Sequence, residues 1–267
     1  MSTTTTFSRS HVSLNTDIGE GFGSWRIADD DALLRLVSDA NLACGFHASD
    51  PDIMRTTCRI AAERGVGVGA QVGYPDLRGF GRRFIEIDPA SLVNDVLYQL
   101  GALNAFQRIE GRTVAYLKIH GALYHAAVAR SDYADAIVEA VRLFDPALPV
   151  MCQPGTALAE RIAAAGLSTI AEGYIDRAYT PEGLLVPRGR PGAVITDPEQ
   201  CAERAVRLVE RGEVVCIDGT VIPVRADSLC VHSDSPGAPE IAAAVRDALD
   251  AAGIAVQALT SPCIRTC

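Results

Sequence analysis

Lysine is nearly missing from this chain. Of 24 basic residues, 23 are arginine, and Lys118 is the one lysine. No G-x-x-x-x-G-K-[ST] stretch exists, so a Walker-type ATP site within this polypeptide is excluded. The dinucleotide fingerprint is missing too, since Glu20-Gly-Phe-Gly does not extend to G-x-G-x-x-G. Any nucleotide has to bind by another mode.

The eight cysteines, at 44, 58, 152, 201, 216, 230, 263 and 267, form no C-x-x-C pair and show no zinc-ribbon spacing. They read as reduced thiols of a cytoplasmic protein, several on core strands, with Cys263 and Cys267 in a tail. No window approaches the ~20 apolar residues of a membrane span. The Thr/Ser run from Met1 to Ser10 lacks the apolar stretch of a secretory signal and reads as a disordered tail. Basic clusters with interleaved aromatics are also missing, and the net charge is -9, so nucleic acid is not an expected partner.

What is present is an ordinary globular composition, 48% hydrophobic and 21% charged, in 267 residues. That length suits one α/β barrel, and no linker, repeat or low-complexity insert divides the chain, so residues 1–267 read as a single domain. Strand and helix patterns alternate. Residues 11–17 form a strand with Val12, Leu14 and Thr16 on one face and Ser13, Asn15 and Asp17 on the other. A helix capped by Asp29 or Asp30 carries Leu33, Leu34 and Val37 on its buried stripe. The stretch from Asn41 to Pro51 is a strand that passes through Gly45, presents His47 and enters a helix at Asp50-Pro51, closed by Gly65.

The third strand, 66–71, sets Gly67, Gly69 and Gln71 on one face. A long segment, 73–88, follows it and precedes a helix beginning at Asp88-Pro89; a loop of that length covers or binds something. The fourth strand, 114–120, sets Tyr116, Lys118 and His120 on one face, with a turn at 121–125 and a helix capped by Ser131. Strands at 149–153 and 169–172 flank a helix over 156–165. A flap over 175–196 leads to a helix opened by Asp197-Pro-Glu-Gln200, then to a small hairpin of 214–217 and 221–224. The last strand, 228–234, aligns Cys230, His232 and Asp234, and a helix over 238–252 ends the pattern. Seven strands, most followed by helices, indicate a parallel sheet closed into a barrel, with an open doubly wound sheet as the alternative.

In parallel α/β folds the carboxyl ends of the strands share one face, where ligand sites lie. Asp17, His47, Gln71, Lys118, His120, Glu172, His232 and Asp234 all stand at or just past strand ends. Singly, each has an ordinary explanation: a cap, a turn, an ion pair, a satisfied core histidine. Together they are hard to explain as packing, because burying polar groups unpaired costs about 1–3 kcal/mol each. Three chemistries fit the set. A metal is one, with Asp17, His47 and His120 as its ligands; a general base, Asp17 or a histidine, with Lys118 stabilising negative charge, is another; a Schiff base on Lys118 is the third.

At this point the motifs are specific enough to carry a resemblance. Leu14-Asn-Thr-Asp-Ile-Gly-Glu20 with Phe22-Gly23, Asn41 to Pro51, Tyr74 to Arg83, Lys118-Ile-His-Gly-Ala-Leu-Tyr124, Asp176-Arg177 with Tyr179, and Cys230 to Pro236 occur in order over nearly the whole chain. They resemble the LamB/YcsF family, which supplies the A subunits of bacterial 5-oxoprolinase. Gln71, Ile119, His125 and Ser233 depart from the usual family pattern of His, Pro, Asn and Gly.

The resemblance implies a seven-stranded β/α barrel similar to the glycoside hydrolase/deacetylase group. It also implies ATP-dependent opening of the 5-oxoproline lactam to glutamate, with two partner subunits, B and C, and ATP as co-substrate. On that footing Asp17, Lys118 and His120 are the expected catalytic residues. Asn15, His47, Gln71, Arg82, Arg83, Glu172, Arg177, His232 and Asp234 are the expected substrate contacts. A metal-dependent deacetylase or amidohydrolase, and a non-catalytic small-molecule-binding subunit, are the alternatives.

Overall fold

The computed structural model describes residues 10–259, so most of the expected N-terminal tail, and Cys263 and Cys267, lie outside the described residues. In chain order the elements are β1 (His11–Ile18), α1 (Asp30–Leu33), β2 (Asp39–Ala43), α2 (Pro51–Arg64), β3 (Gly67–Val72), α3 (Pro89–Ile109), β4 (Leu117–Ile119), α4 (Gly121–Ala129), α5 (Ser131–Phe144), β5 (Val150–Cys152), α6 (Ala157–Ala164), β6 (Thr169–Tyr174), α7 (Pro198–Arg211), β7 (Glu213–Val215), β8 (Val221–Pro223), β9 (Ser228–Val231), α8 (Ala238–Ala251) and β10 (Ala255–Val256).

Strands β1 to β6 pair in parallel in sequence order, β6 pairs with β9, and β9 pairs back to β1. The result is a closed parallel barrel of seven strands. Hairpin β7–β8 is antiparallel and stands apart from it. Every strand that closes the barrel buries both faces, one against the helices and one inside, which is why these segments are short and mostly apolar. Among the described residues no helix is long and apolar enough to cross a membrane.

Local chemistry accounts for the helix boundaries. Asp50 accepts from the backbone N–H groups of Asp52 and Ile53, with Pro51 in the first turn, and Gly65 closes α2 at φ 72°. Asp88 and Asp197 cap α3 and α7 in the same way, each followed by proline.

Three expectations are corrected. The helix expected to carry Leu33, Leu34 and Val37 is a single turn, although all three residues are buried. The turn expected at 121–125 is the start of α4, because Leu123, Ala126 and Ala127 recur at helical spacing and bury one side. Ser131 is the first residue of α5 rather than its cap; Arg130 occupies that position without a side-chain capping bond. In addition, β10 runs parallel to the start of β1, pairing His11 with Ala255 and Val12 with Val256, a strand too short to leave a periodic signal.

Candidate active site

The inward faces of the strands determine what meets inside the barrel. A Cβ on Gly69 would overlap the ring of Tyr116, so the glycine makes room for the tyrosine. Tyr116 uses that room to donate its hydroxyl to Asn41 Oδ1 at 2.7 Å. Asn41 in turn donates to Asn15 Oδ1 at 2.8 Å and Asp17 Oδ1 at 2.9 Å. These amides form a buried floor under the lysine.

Lys118 Nζ is the centre of the cluster. It lies 2.7 Å from Glu172 Oε1 and 3.1 Å from Asp17 Oδ1, with Asn15 Oδ1 and Cys230 Sγ each at 3.4 Å. All five residues are buried. Tyr174 donates its hydroxyl to the other oxygen of Glu172 at 2.7 Å.

Burial pushes the Asp17 carboxyl up, but the Lys118 ammonium, His232, His120 and the Asn41 hydrogen bond outweigh it and hold Asp17 well below the usual carboxylate range. Burial likewise disfavours the Lys118 ammonium, yet Asp17, Cys230 and Glu172 hold its pKa well above that of a free lysine. A lysine kept charged between two carboxylates is not a nucleophile. The Schiff-base chemistry is therefore set aside in favour of an electrostatic role.

A second cluster sits above the first. His47 and His120 stack with ring centroids 4.0 Å apart and planes at 5°. His120 Nε2 lies 2.8 Å from the carbonyl oxygen of Phe80, which can only accept, so Nε2 carries the proton and Nδ1 is left with a lone pair. That Nδ1 is 3.8 Å from Glu20 Oε1. The other Glu20 oxygen accepts from the Ser233 hydroxyl at 3.0 Å. Burial drives both rings toward the neutral form: the His120 pKa falls to about 4, and that of His47, with His120 beside it, falls well below the ordinary value. Burial, aided by Asp17 and Asp234, raises the Glu20 carboxyl well above the usual range.

The loop from Gly73 to Asp88 closes over both histidines. Phe80 turns its ring edge to each of them and adopts φ +53°, one of two non-glycine residues in the left-handed region among the described residues. The other is Ser49, at φ 74°, on the loop that carries His47. Strain of this kind collects where surrounding structure fixes a functional geometry. Arg82 from the 73–88 loop and Arg188 from the 175–196 flap both pair with Asp234, which joins three loops across the mouth.

Thus Asn15, Asp17, Lys118 and Glu172 meet directly, and His47, Gln71 and His120 form the layer above them, with Gln71 Oε1 3.2 Å from His47 Nε2. His232 sits on Asp176, its Nδ1 3.0 Å from both carboxylate oxygens and its ring stacked on Tyr174 at 5.7 Å, and Asp234 serves the loop clasp. Arg83 pairs with Asp76 inside its own loop, and Arg177 donates to the carbonyls of Val186 and Ala193, stapling the flap. Neither arginine joins the polar cluster. Asp17 does not approach the histidines as a third metal ligand; Glu20 does. The residues not singled out beforehand are Glu20, Asn41, Tyr174 and Cys230; Glu20 lies within the first motif but past the end of β1, where alternation gives no direction.

A groove of about 1110 Å³ lies elsewhere, between α7 and residues 192–197. Its lining of Glu199, Glu203, Arg207 and Glu210 is that of a charged surface, and no strand end of the barrel reaches it. The chemistry belongs to the mouth.

A model of the LamB/YcsF family matches residues 12–263. The chain belongs to that family. A protein from Nocardia farcinica, named as the A subunit of 5-oxoprolinase, is 55% identical over 247 residues, covering 92% of this chain and 98% of its own. The crystal structure of a lactam utilization protein from Thermus thermophilus is 48% identical and superposes with a TM-score of 0.89, over 93% of this chain and 99% of that one. A peptidoglycan N-acetylglucosamine deacetylase, Bc1960, shares 8% identity at a TM-score of 0.50, a likeness of fold alone. Of the four positions expected to depart from the family pattern, two meet the histidine layer: Gln71 touches His47, and Ser233 donates to Glu20.

Proposed function

We propose that this chain is the A subunit of a cytoplasmic, ATP-dependent 5-oxoprolinase. It is read as a hydrolase acting on the C–N bond of a cyclic amide, working with two further subunits. The observation that carries the reading is a buried Lys118 ammonium shared by Asp17 and Glu172 at the mouth of the barrel, in a chain 55% identical to a protein of that name.

An unstrained lactam is a poor electrophile. Transfer of the ATP γ-phosphoryl group to the lactam oxygen forms an O–P bond and releases ADP, and the ring carbon becomes open to water. Water adds to that carbon and gives up a proton; the ring C–N bond then breaks, and its nitrogen takes a proton. The acyl phosphate that remains is hydrolysed by a second water to L-glutamate and phosphate.

In this reading Lys118 stabilises negative charge on the oxygens of the reacting carbon, and Asp17 with Asn15 orients the attacking water. Asp17 is too weak a base to take its proton. The free lone pair on His120 Nδ1 suits that task better. Arg82, on the loop over the mouth, meets the substrate carboxylate or phosphate.

The test is release of glutamate from 5-oxoproline by this chain with candidate partner subunits, with and without ATP. Glutamate release that requires ATP, this chain and Lys118 supports the reading. A complex that works equally well with Lys118→Met makes this chain a binding subunit instead.

A further inference from the structure

The histidine layer contains acceptors that lack a donor. Nε2 of His120 is committed to the Phe80 carbonyl, so its Nδ1 offers a lone pair toward Glu20 Oε1 at 3.8 Å. Glu20 Oε1 and His47 Nδ1 are buried and have no hydrogen-bond partner. One ring nitrogen of His47, one of His120 and a carboxylate oxygen of Glu20 lie within 4.8 Å of one another, and the three residues are all buried. Lone pairs gathered this closely in the interior repel one another unless something electropositive lies between them.

We propose that Glu20, His47 and His120 form a site for one divalent first-row transition cation, of the zinc, manganese or cobalt class. Two imidazoles and one carboxylate favour these ions over magnesium or calcium, which prefer oxygen donors throughout. Three protein ligands leave positions open, as in catalytic rather than structural centres. The supporting contacts match as well: a metal-bound histidine hands its other N–H to a carbonyl, as His120 does with Phe80, and a bound carboxylate is itself hydrogen-bonded, as Glu20 is by Ser233.

Parallel rings point their lone pairs along parallel lines, so one ring has to turn for both to meet an ion. His47 has the less to lose, because its one side-chain hydrogen bond is the 3.2 Å contact with Gln71, whereas His120 is fixed by Phe80. A cation here would take the His120 Nδ1 lone pair out of use as a base and would supply a Lewis acid beside the Lys118 cluster in its place. The inference rests on the lactam-opening reading only for its use, not for its existence.

The test is made on the purified full-length chain alone, without ATP or partner subunits. The metal content is measured by elemental analysis after dialysis against zinc, manganese or cobalt, and the cobalt-loaded chain is examined for visible d–d absorption. The expected result is about one ion per chain, with a cobalt spectrum stronger than that of the aqueous ion. Occupancy should fall at least about tenfold in Glu20→Gln and in His120→Asn, whereas Asp39→Asn, at the opposite end of the barrel, should keep it. Circular dichroism of each variant separates lost ligands from lost fold, and the wild-type cobalt spectrum stands independently of any variant.

A wild-type chain that takes up no ion, or equal uptake by Glu20→Gln and His120→Asn, overturns the site. The two proposals fail separately. A chain that binds the ion in a complex that releases no glutamate removes only the lactam reading, and a chain that takes up no ion in a complex that opens the lactam removes only the cation.

Discussion

The two ends of this barrel both bury polar side chains, and they treat them differently. At the amino end of the strands, Asp39 Oδ2 accepts from the Ser13 and Ser38 hydroxyls, at 2.7 and 3.0 Å, and from the backbone N–H of Leu259 at 3.0 Å. Ser228 adds a hydrogen bond to Ser13. Among the described residues no lysine or arginine contacts these groups directly; Asn15 donates to Ser228 at 2.7 Å and so links them to the Lys118 cluster, and the segment leading to Leu259 covers them. At the carboxyl end, an ammonium is wedged between two carboxylates, and Glu20, His47 and His120 converge with no hydrogen bond between them. A polar group inside a barrel therefore signals nothing by itself. Charge concentrated beside several unmet lone pairs at one set of strand ends does, whereas the single unpaired Asp39 Oδ1 at the other end does not.

The largest expected effect breaks the carboxyl-end cluster at its centre. Lys118→Met should lower lactam opening by more than about 100-fold, since charge stabilisation by a preorganised donor is worth that much. It should also cost about 3–5 kcal/mol at neutral pH by leaving Asp17 and Glu172 buried without their cation, as read by urea denaturation. Part of that cost should vanish as the pH is lowered and the stranded carboxylates take up protons.

Asp17→Asn sharpens the same point. Turnover should fall by a similar factor of about 100, but stability should fall less, by about 1–2 kcal/mol, because Glu172 still pairs with Lys118. Equal stability losses in the two variants would show that the ammonium is not shared as described.

The amino end offers the contrasting experiment. Burial raises the Asp39 carboxyl from 3.8 to about 6, against the hydrogen bonds from Ser13, Leu259 and Ser38. Between those two values the folded chain holds a proton that the unfolded chain has released, so this group's contribution to stability falls as pH rises through the window. The span of roughly 2 pH units, at about 1.4 kcal/mol each, amounts to the order of 3 kcal/mol. Asp39→Asn should therefore gain on the wild type in stability between pH 4 and pH 6 by about that amount, while lactam opening stays unchanged. A flat difference across this range, in paired denaturation curves, would contradict the described burial.

The smallest effect is expected at the clasp. Asp234→Asn weakens the joint between the 73–88 loop and the 175–196 flap, so KM should rise by roughly threefold to tenfold with kcat little changed. Stability should shift by less than about 1 kcal/mol, as for other ion pairs open to solvent.

Much of this was legible in the chain itself. The alternation in 11–17 assigned Asn15 and Asp17 to the inward face, and the period of two in 114–120 put Lys118 and His120 on one side. The caps at Asp50, Asp88 and Asp197 are local chemistry and are found where the residues indicate. The helix start at 121–125 and the single turn at 30–33 have a local reason: so few helical turns give periodicity too little to decide helix extent, although Leu33, Leu34 and Val37 are all buried. Glu20 was hidden because it lies beyond the end of its strand, where alternation no longer tells which way a side chain points. Arg83 and Arg177 looked like ligands for anions, and only their neighbours in space, Asp76 and the carbonyls of Val186 and Ala193, show that they are engaged within their own loops.

Sequence alone determined the order of the seven barrel strands, the inward faces of the first and fourth of them and the singular lysine, because each depends on residues close together in the chain. Only the closed barrel decided which of the polar residues share one pocket. Distances between strand ends depend on register and closure, and these are set by the packing of the whole sheet. Glu20 stands beside His120 rather than Asp17 for that reason, and the ammonium of Lys118 comes to rest between carboxylates delivered by the first and sixth strands.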